Sequence, residues 1–201
     1  HHYRRSPGTS GSGITKMNSL LPKATLVIFG CFLASVAAAK QPPKEIPNFR
    51  VYSAHFASSG QIAGHHLKPL QRDGFQRIVY LAYRGQGNAT DQLSIDRQAT
   101  DLGMSYVHIP VPWQSPSPVD YQTFAAVMNS QPGQKTLLHC QMNYRASAFS
   151  FLYRVLELGT PFDEAARDLF AVWNPDQTWL DLINTVLAAN NRAALAPPID
   201  P

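Results

Sequence analysis

Three short runs rich in β-branched and aromatic residues, "FQRIVYLAY", "MSYVHIPV" and "KTLLHC", recur between residues 75 and 140, with stretches of helical spacing between and after them. Runs that are apolar along most of their length read as strands buried on both faces. Strands that alternate with helices pair in parallel, because a crossover helix returns the chain to the same end of the sheet. The expected fold is therefore α/β, a three-layer sandwich with a central, mostly parallel sheet flanked by helices. Upstream, "FRVYSAHFASSGQ" supplies one or two short strands ending at a turn, and "IAGHHLKPLQRDG" a short helix stopped at Gly74.

"LSIDRQATDLG" has helical spacing through Leu93, Ile95, Ala99 and Leu102. "VDYQTFAAVMNS" has it through Val119, Phe124, Val127 and Met128. After "KTLLHC" only helices follow. The first is "RASAFSFLYRVLELG". The second, "TPFDEAARDLFAVW", has Thr160 as N-cap and Pro161 at the first helical position. The last is "TWLDLINTVLAANN", set off by the break at "NPDQ". There is no internal repeat.

The ends of the 201-residue chain read differently from its middle. Residues 1–16 resemble a tag and linker, and residues 17–39 a secretory signal. In the latter, a short n-region with Lys23 precedes the apolar "ATLVIFGCFLASV" and the small residues Ala37–Ala39. That apolar run falls short of the ~20 residues a spanning helix needs. The expectation is export to the periplasm or beyond, with no stable membrane insertion after cleavage. A Pro-rich segment (40–48), one main domain (49–192) and a tail (193–201) complete the division.

Charge follows from this division. Four of the 17 basic residues (Arg4, Arg5, Lys16, Lys23) and none of the 13 acidic ones precede residue 40, which leaves 13 of each. A neutral domain has no electrostatic footprint for nucleic acid. Of the two cysteines, Cys31 leaves with the signal, so Cys140 stands alone and a disulfide within the mature chain is excluded. A lone thiol in an oxidising compartment is a liability unless it is buried or used.

Cys140 closes a strand and precedes a helix in "LLHCQMNYRASAF". In parallel α/β sheets ligands bind beyond the carboxyl ends of strands. A thiolate is the reactive form of cysteine, and a helix N-terminus with a nearby cation favours it. The backbone N–H groups of Gln141, Met142, Asn143, Tyr144 and Arg145 could form an anion-binding nest. Arg145 is suited to grip two phosphate oxygens side by side. His139 is placed to fix the loop or tune the thiolate. In-line attack on a phosphate ester would give a phosphocysteine that water then hydrolyses.

These residues resemble the signature of the cysteine-dependent protein tyrosine/dual-specificity phosphatase superfamily. "SSGQIAGHHLKPLQRDGFQRIVYL" and "ATDLGMSYVHIPV" are similar to its bacterial phosphatase-like branch, and the likeness spans residues 45 to 190. It implies a protein tyrosine phosphatase-like fold, Cys140 as nucleophile, Arg145 as clamp, a phosphorylated substrate and no cofactor. The pattern departs from the superfamily in two places. Four residues separate Cys140 from Arg145 where most members have one more, no glycine lies between them, and Ala146 rather than Ser or Thr follows. Ser147, one step on, is the candidate for assisting the thiolate's departure. The superfamily's general acid is an aspartate in the loop after the "HIPV" strand, where this chain has Trp113 and Gln114. Asp120 is the nearest carboxylate, placed equally well to cap the next helix, with Asp96 and Asp176 behind it.

Other readings stay open. A four-residue loop also suits a rhodanese-type sulfurtransferase carrying a Cys140 persulfide. Against it, the helices after Cys140 replace the short strand and "GG…W" turn such domains continue into. A non-catalytic phosphate-binding module is the third reading. His55, His65, His66 and His108 match no ligand spacing, and adjacent histidines on a helix diverge, so no metal is expected. Arg84, at another strand end, is a candidate pocket lining. Tyr144 is a candidate rim favouring aryl phosphates. Trp173 and Trp179 read as core aromatics, with Asn174 near the site. No feature of the sequence indicates an oligomeric state.

Overall fold

The computed structural model describes residues 45–83 and 95–197. Residues 1–44, which include the segments read as tag and signal and Cys31, lie outside them, as do Arg84 and Leu93. The strands are β1 (Arg50–Ser53), β2 (Phe56–Ser59), β3 (Arg77–Ala82), β4 (Ser105–Val111) and β5 (Thr136–His139). The helices are α1 (Gly64–Arg72), α2 (Ile95–Asp101), α3 (Pro118–Ser130), α4 (Tyr144–Leu156), α5 (Phe162–Phe170) and α6 (Gln177–Ala189). No helix among the described residues is long and apolar enough to cross a membrane.

The sheet runs in the order β1-β2-β5-β3-β4. β2, β5, β3 and β4 are mutually parallel, and only the edge strand β1 is antiparallel, to β2. The α/β sandwich with a mostly parallel sheet is therefore observed. The last strand in sequence lies at the centre, between β2 and β3. Period-two alternation divides its side chains between two cores. Leu137, Ile78 and Ala57 face a smaller core with Leu67, Leu70, Ile95 and Ala99 of α1 and α2. Leu138, Val79 and Phe56 face the larger core, formed with α3 to α6 around Phe124, Phe149, Leu152, Trp179 and Ile183.

Two buried arginines tie elements together. Arg77 of β3 donates to Thr136 Oγ1 (2.9 Å) and to the Val127 carbonyl at the end of α3 (2.8 Å). Arg154 of α4 reaches Asp168 (2.7 Å) and Glu164 (3.0 Å) of α5 and lies over the Tyr52 ring of β1.

Two local expectations shift. In α3 the buried face is Tyr121, Phe124, Ala125 and Met128, while Val119 is exposed. Val119 falls in the first turn, where the capping geometry rather than the apolar stripe orients the chain. Thr160 does not cap α5. Pro161 occupies that position and the helix starts at Phe162, without a side-chain cap bond.

Leu138 is fully buried in the central strand. Leu138→Ala is expected to lower the unfolding free energy by about 2–5 kcal/mol in urea denaturation, the usual range for a large-to-small core change.

Candidate active site

A row of residues across four strands sets the floor of the site. Ser59, His139, Tyr80 and His108 stand in register across β2, β5, β3 and β4. Beyond that row the Cys140 amide still donates to the Ser59 carbonyl (3.2 Å), so the ladder continues one residue past β5. The Cys140 side chain is buried, 1% exposed, and packs with the larger core.

The chain then turns within Gln141–Asn143 and enters α4. Asn143 makes this turn possible without glycine: it adopts the left-handed conformation (φ 67°) that asparagine tolerates better than most residues. Its carbonyl accepts the Ser147 amide and opens the helix. Arg145, in the first turn of α4, is 3% exposed. Its Nε donates to the Val111 carbonyl at the end of β4 (3.1 Å), and its guanidinium lies 5.2 Å from the Trp113 ring centroid. Burial lowers the Arg145 pKa from its ordinary value, while the adjacent Cys140 and Tyr80 side chains pull it the other way. The structure thus brings Cys140, Arg145 and the loop between them to one place.

His139 lies behind the thiol. Its ring is enclosed and lies tilted against Tyr80 at 4.7 Å, and Tyr80 in turn stacks 5.0 Å from His108. Neither ring nitrogen has a well-formed hydrogen bond among the described residues. Burial pushes its pKa down to about 3, the Cys140 backbone opposing only in part. The ring is therefore neutral at ordinary pH. Burial likewise raises the Tyr80 phenol, and the charge of Cys140 adds to the effect.

Aromatic side chains wall the other side. Tyr144 stacks on Trp173 at 4.7 Å and 10°. Trp113 packs against both Trp173 (5.4 Å) and Trp179 (5.2 Å). Ser147 is drawn into this wall: its hydroxyl donates to the Tyr144 carbonyl and accepts the Trp173 indole N–H, both at 3.1 Å. Trp179 is core, whereas Trp173 borders the loop.

The candidate acids all sit at helix starts. Asp120 closes a capping box on α3. Its Oδ2 accepts from the Ser117 amide and hydroxyl, both at 2.8 Å. Asp176 caps α6 through the Trp179 amide (3.0 Å), and Asp96 accepts the Arg97 amide at the start of α2. The structure shows their capping bonds and no contact between any of them and Cys140.

Asn48 and Gly60 were not singled out by sequence reasoning. The Asn48 side chain donates to the Met142 carbonyl (2.9 Å), and Gly60 forms a bridge with Met142. Gly60 is in "SSGQ", a visible turn signal. Asn48 had no local signal, because its partners are 94 and 95 positions away.

One cluster of metal-ligand side-chain types occurs among the described residues: Glu45, His65 and His66. The histidine rings, expected to diverge, lie 3.9 Å apart because His66 folds back onto the start of α1. Its Nδ1 accepts the Ala63 amide (2.9 Å), which leaves the proton of the neutral ring on Nε2, facing Glu45 Oε2 at 3.7 Å. A nitrogen that carries a proton offers no lone pair to a cation. These three residues act as a polar clasp between residue 45 and α1.

Among solved structures, a candidate phosphatase (DUF442) of Shewanella putrefaciens CN-32 aligns with 30% identity, covering 72% of this chain and 94% of that one, with a TM-score of 0.66. The chain belongs to this phosphatase-like family. More distant likenesses show the same fold. Tk-PTP in its active form is 18% identical, covering 70% of this chain and 96% of its own, at a TM-score of 0.57. The core catalytic domain of the PP-IP phosphatase SIW14 from S. cerevisiae is 17% identical, covering 72% and 94%, at 0.50. No family model and no curated protein matches the sequence. The architecture is that of the cysteine-based, protein tyrosine phosphatase-like phosphatases.

The buried His139 ring links this site to stability. Between pH 6.5 and about 3 the unfolded chain binds a proton here that the folded chain refuses. Stability therefore falls as pH falls through that window, by up to ~1.4 kcal/mol per pH unit. In His139→Phe the slope of unfolding free energy between about pH 4 and 6 is expected to shrink by up to that amount. An unchanged slope would show that the folded ring already carries its proton.

Proposed function

We propose that this protein hydrolyses phosphate monoesters, phosphotyrosine-like aryl phosphates among them, through a phosphocysteine intermediate. The observation that supports this reading best is the meeting of Cys140 and Arg145 at the carboxyl edge of a phosphatase-type sheet, with a fixed bend between them. In the first step the Cys140 sulfur attacks phosphorus, the S–P bond forms and the bond to the leaving oxygen breaks. Arg145 and the amides of residues 141–145 hold the three equatorial oxygens. Water then cleaves the S–P bond, releasing phosphate and the thiol. No metal or organic cofactor enters this scheme. Export through residues 17–39 would place the reaction in the periplasm or outside the cell.

In this reading the acid is Asp120. Its Oδ2 is committed to Ser117, and Oδ1 is the atom that remains to carry a proton to the leaving group. Asn at this position keeps the side-chain oxygen that caps the helix but donates no carboxyl proton. If Asp120 is the acid, Asp120→Asn lowers kcat for an alkyl phosphate by about 10²–10⁴ and for p-nitrophenyl phosphate by much less, since a good leaving group needs little help. If both rates are unchanged, Asp120 is a cap alone.

The four-residue loop keeps one rival in view, transfer of a sulfane sulfur through a Cys140 persulfide. Phosphate release from p-nitrophenyl phosphate by the wild type, abolished in Cys140→Ser and reduced at least a hundredfold in Arg145→Lys, supports the phosphatase. Thiosulfate-to-cyanide transfer without phosphate release would replace it with the rival.

A further inference from the structure

We infer that Asn48 is a positioning residue for the Cys140 loop, bracing from outside the turn that Asn143 makes without glycine. The activity arm of this inference rests on the phosphatase reading above. The loop is held at three points from outside. The Gln141 carbonyl accepts the Gln61 amide (2.8 Å), the Met142 carbonyl accepts the Asn48 Nδ2 (2.9 Å), and the Asn143 Nδ2 donates back to the Asn48 carbonyl (2.7 Å). Asn48 is itself left-handed (φ 49°), and one bond, from Asn143 Nδ2 to its carbonyl, joins the two asparagines of unusual backbone conformation.

In a trans peptide the C=O and the following N–H point in opposite directions. Pinning the carbonyls of Gln141 and Met142 toward residues 48 and 61 therefore turns the amides of Met142 and Asn143 to the other side of the loop. An anion cradle needs adjacent amides sharing one direction. Gly60 makes the close approach possible: a Cβ there would meet the Gln141 carbonyl at 2.7 Å and the Pro47 Cβ at 2.9 Å.

Glycine would adopt the Asn143 conformation with less strain. It would also avoid a buried Oδ1 that has no hydrogen-bond partner among the described residues. What asparagine adds at 143 is the bond to Asn48. A leading segment that reads as a Pro-rich linker is thus part of the loop's support.

Asn48→Gly keeps the left-handed backbone and the carbonyl that Asn143 uses, and deletes only the bond to Met142. Three quantities separate positioning from general support: amide hydrogen exchange in residues 141–144 and in α6, the affinity for inorganic phosphate, and kcat/KM for p-nitrophenyl phosphate. The variant is expected to exchange faster at 141–144 with α6 unchanged. Phosphate binding and kcat/KM should each fall about tenfold, the worth of one hydrogen bond. Unchanged exchange at 141–144, or equal acceleration in α6, overturns the assignment. If the wild type neither binds phosphate nor turns over the ester, the phosphatase reading fails and the exchange comparison alone decides the role of Asn48.

Discussion

Ser59, His139, Tyr80 and His108 stand side by side across four parallel strands, and the hydrogen-bond ladder fixes the register of each strand against the next. Because side chains alternate with period two, a one-residue slip of β5 would exchange Leu138 and Cys140 with Leu137 and His139. The thiol would then face the smaller core and the imidazole the larger one. Complete burial of Leu137 and Leu138 in separate cores makes that slip costly. The position of the thiol is thereby guarded by residues that take no part in chemistry. The same ladder brings the Val111 carbonyl to the Arg145 Nε, so β4 orients the cation that β5 and α4 bring near.

Around Cys140 the charges are few. Burial keeps His139 neutral and the Tyr80 phenol protonated, while Arg145 is a cation that interacts directly with Cys140. A buried guanidinium stays charged because its intrinsic pKa is so high, and taking that charge out of water costs free energy. The Val111 carbonyl and the Trp113 face offset part of that cost. A phosphate dianion would offset more, which is how a site of this kind favours its ligand without a large basic surface. The neutral balance of the domain agrees with this: the attraction is local.

Local patterns in the sequence were enough to find the strands, most helices and the pair Cys140–Arg145, because each depends on residues close together in the chain. The start of α5 was placed one residue early, since Thr160 and Pro161 both suit a helix start and only the path of the chain decides between them. Val119 was assigned to the buried side of α3 because helical spacing extends into a first turn that packing does not use. Asn48 was invisible for a different reason. Its role depends on a contact across 94 positions, created only when β2 pairs with β5. Ser147 could be named but not interpreted, because its partner Trp173 lies a helix away.

The shortened loop now has a physical account in two parts. Its shape does not require glycine, because Asn143 takes the left-handed turn and Asn48 and Gln61 hold the carbonyls outward. Its chemistry is constrained elsewhere. The Ser147 hydroxyl is already engaged with Tyr144 and Trp173, and under the proposed reading this would leave it poorly placed to ease the thiolate's departure. Asp120 caps a helix through Oδ2, and under the proposed reading only Oδ1 would remain for proton transfer. Losing either form of assistance slows reactions with poor leaving groups more than those with good ones. Under the proposed phosphatase reading, a site that donates protons weakly would therefore be biased toward aryl esters, and that bias would arise from the environments of Ser147 and Asp120 rather than from the length of the loop.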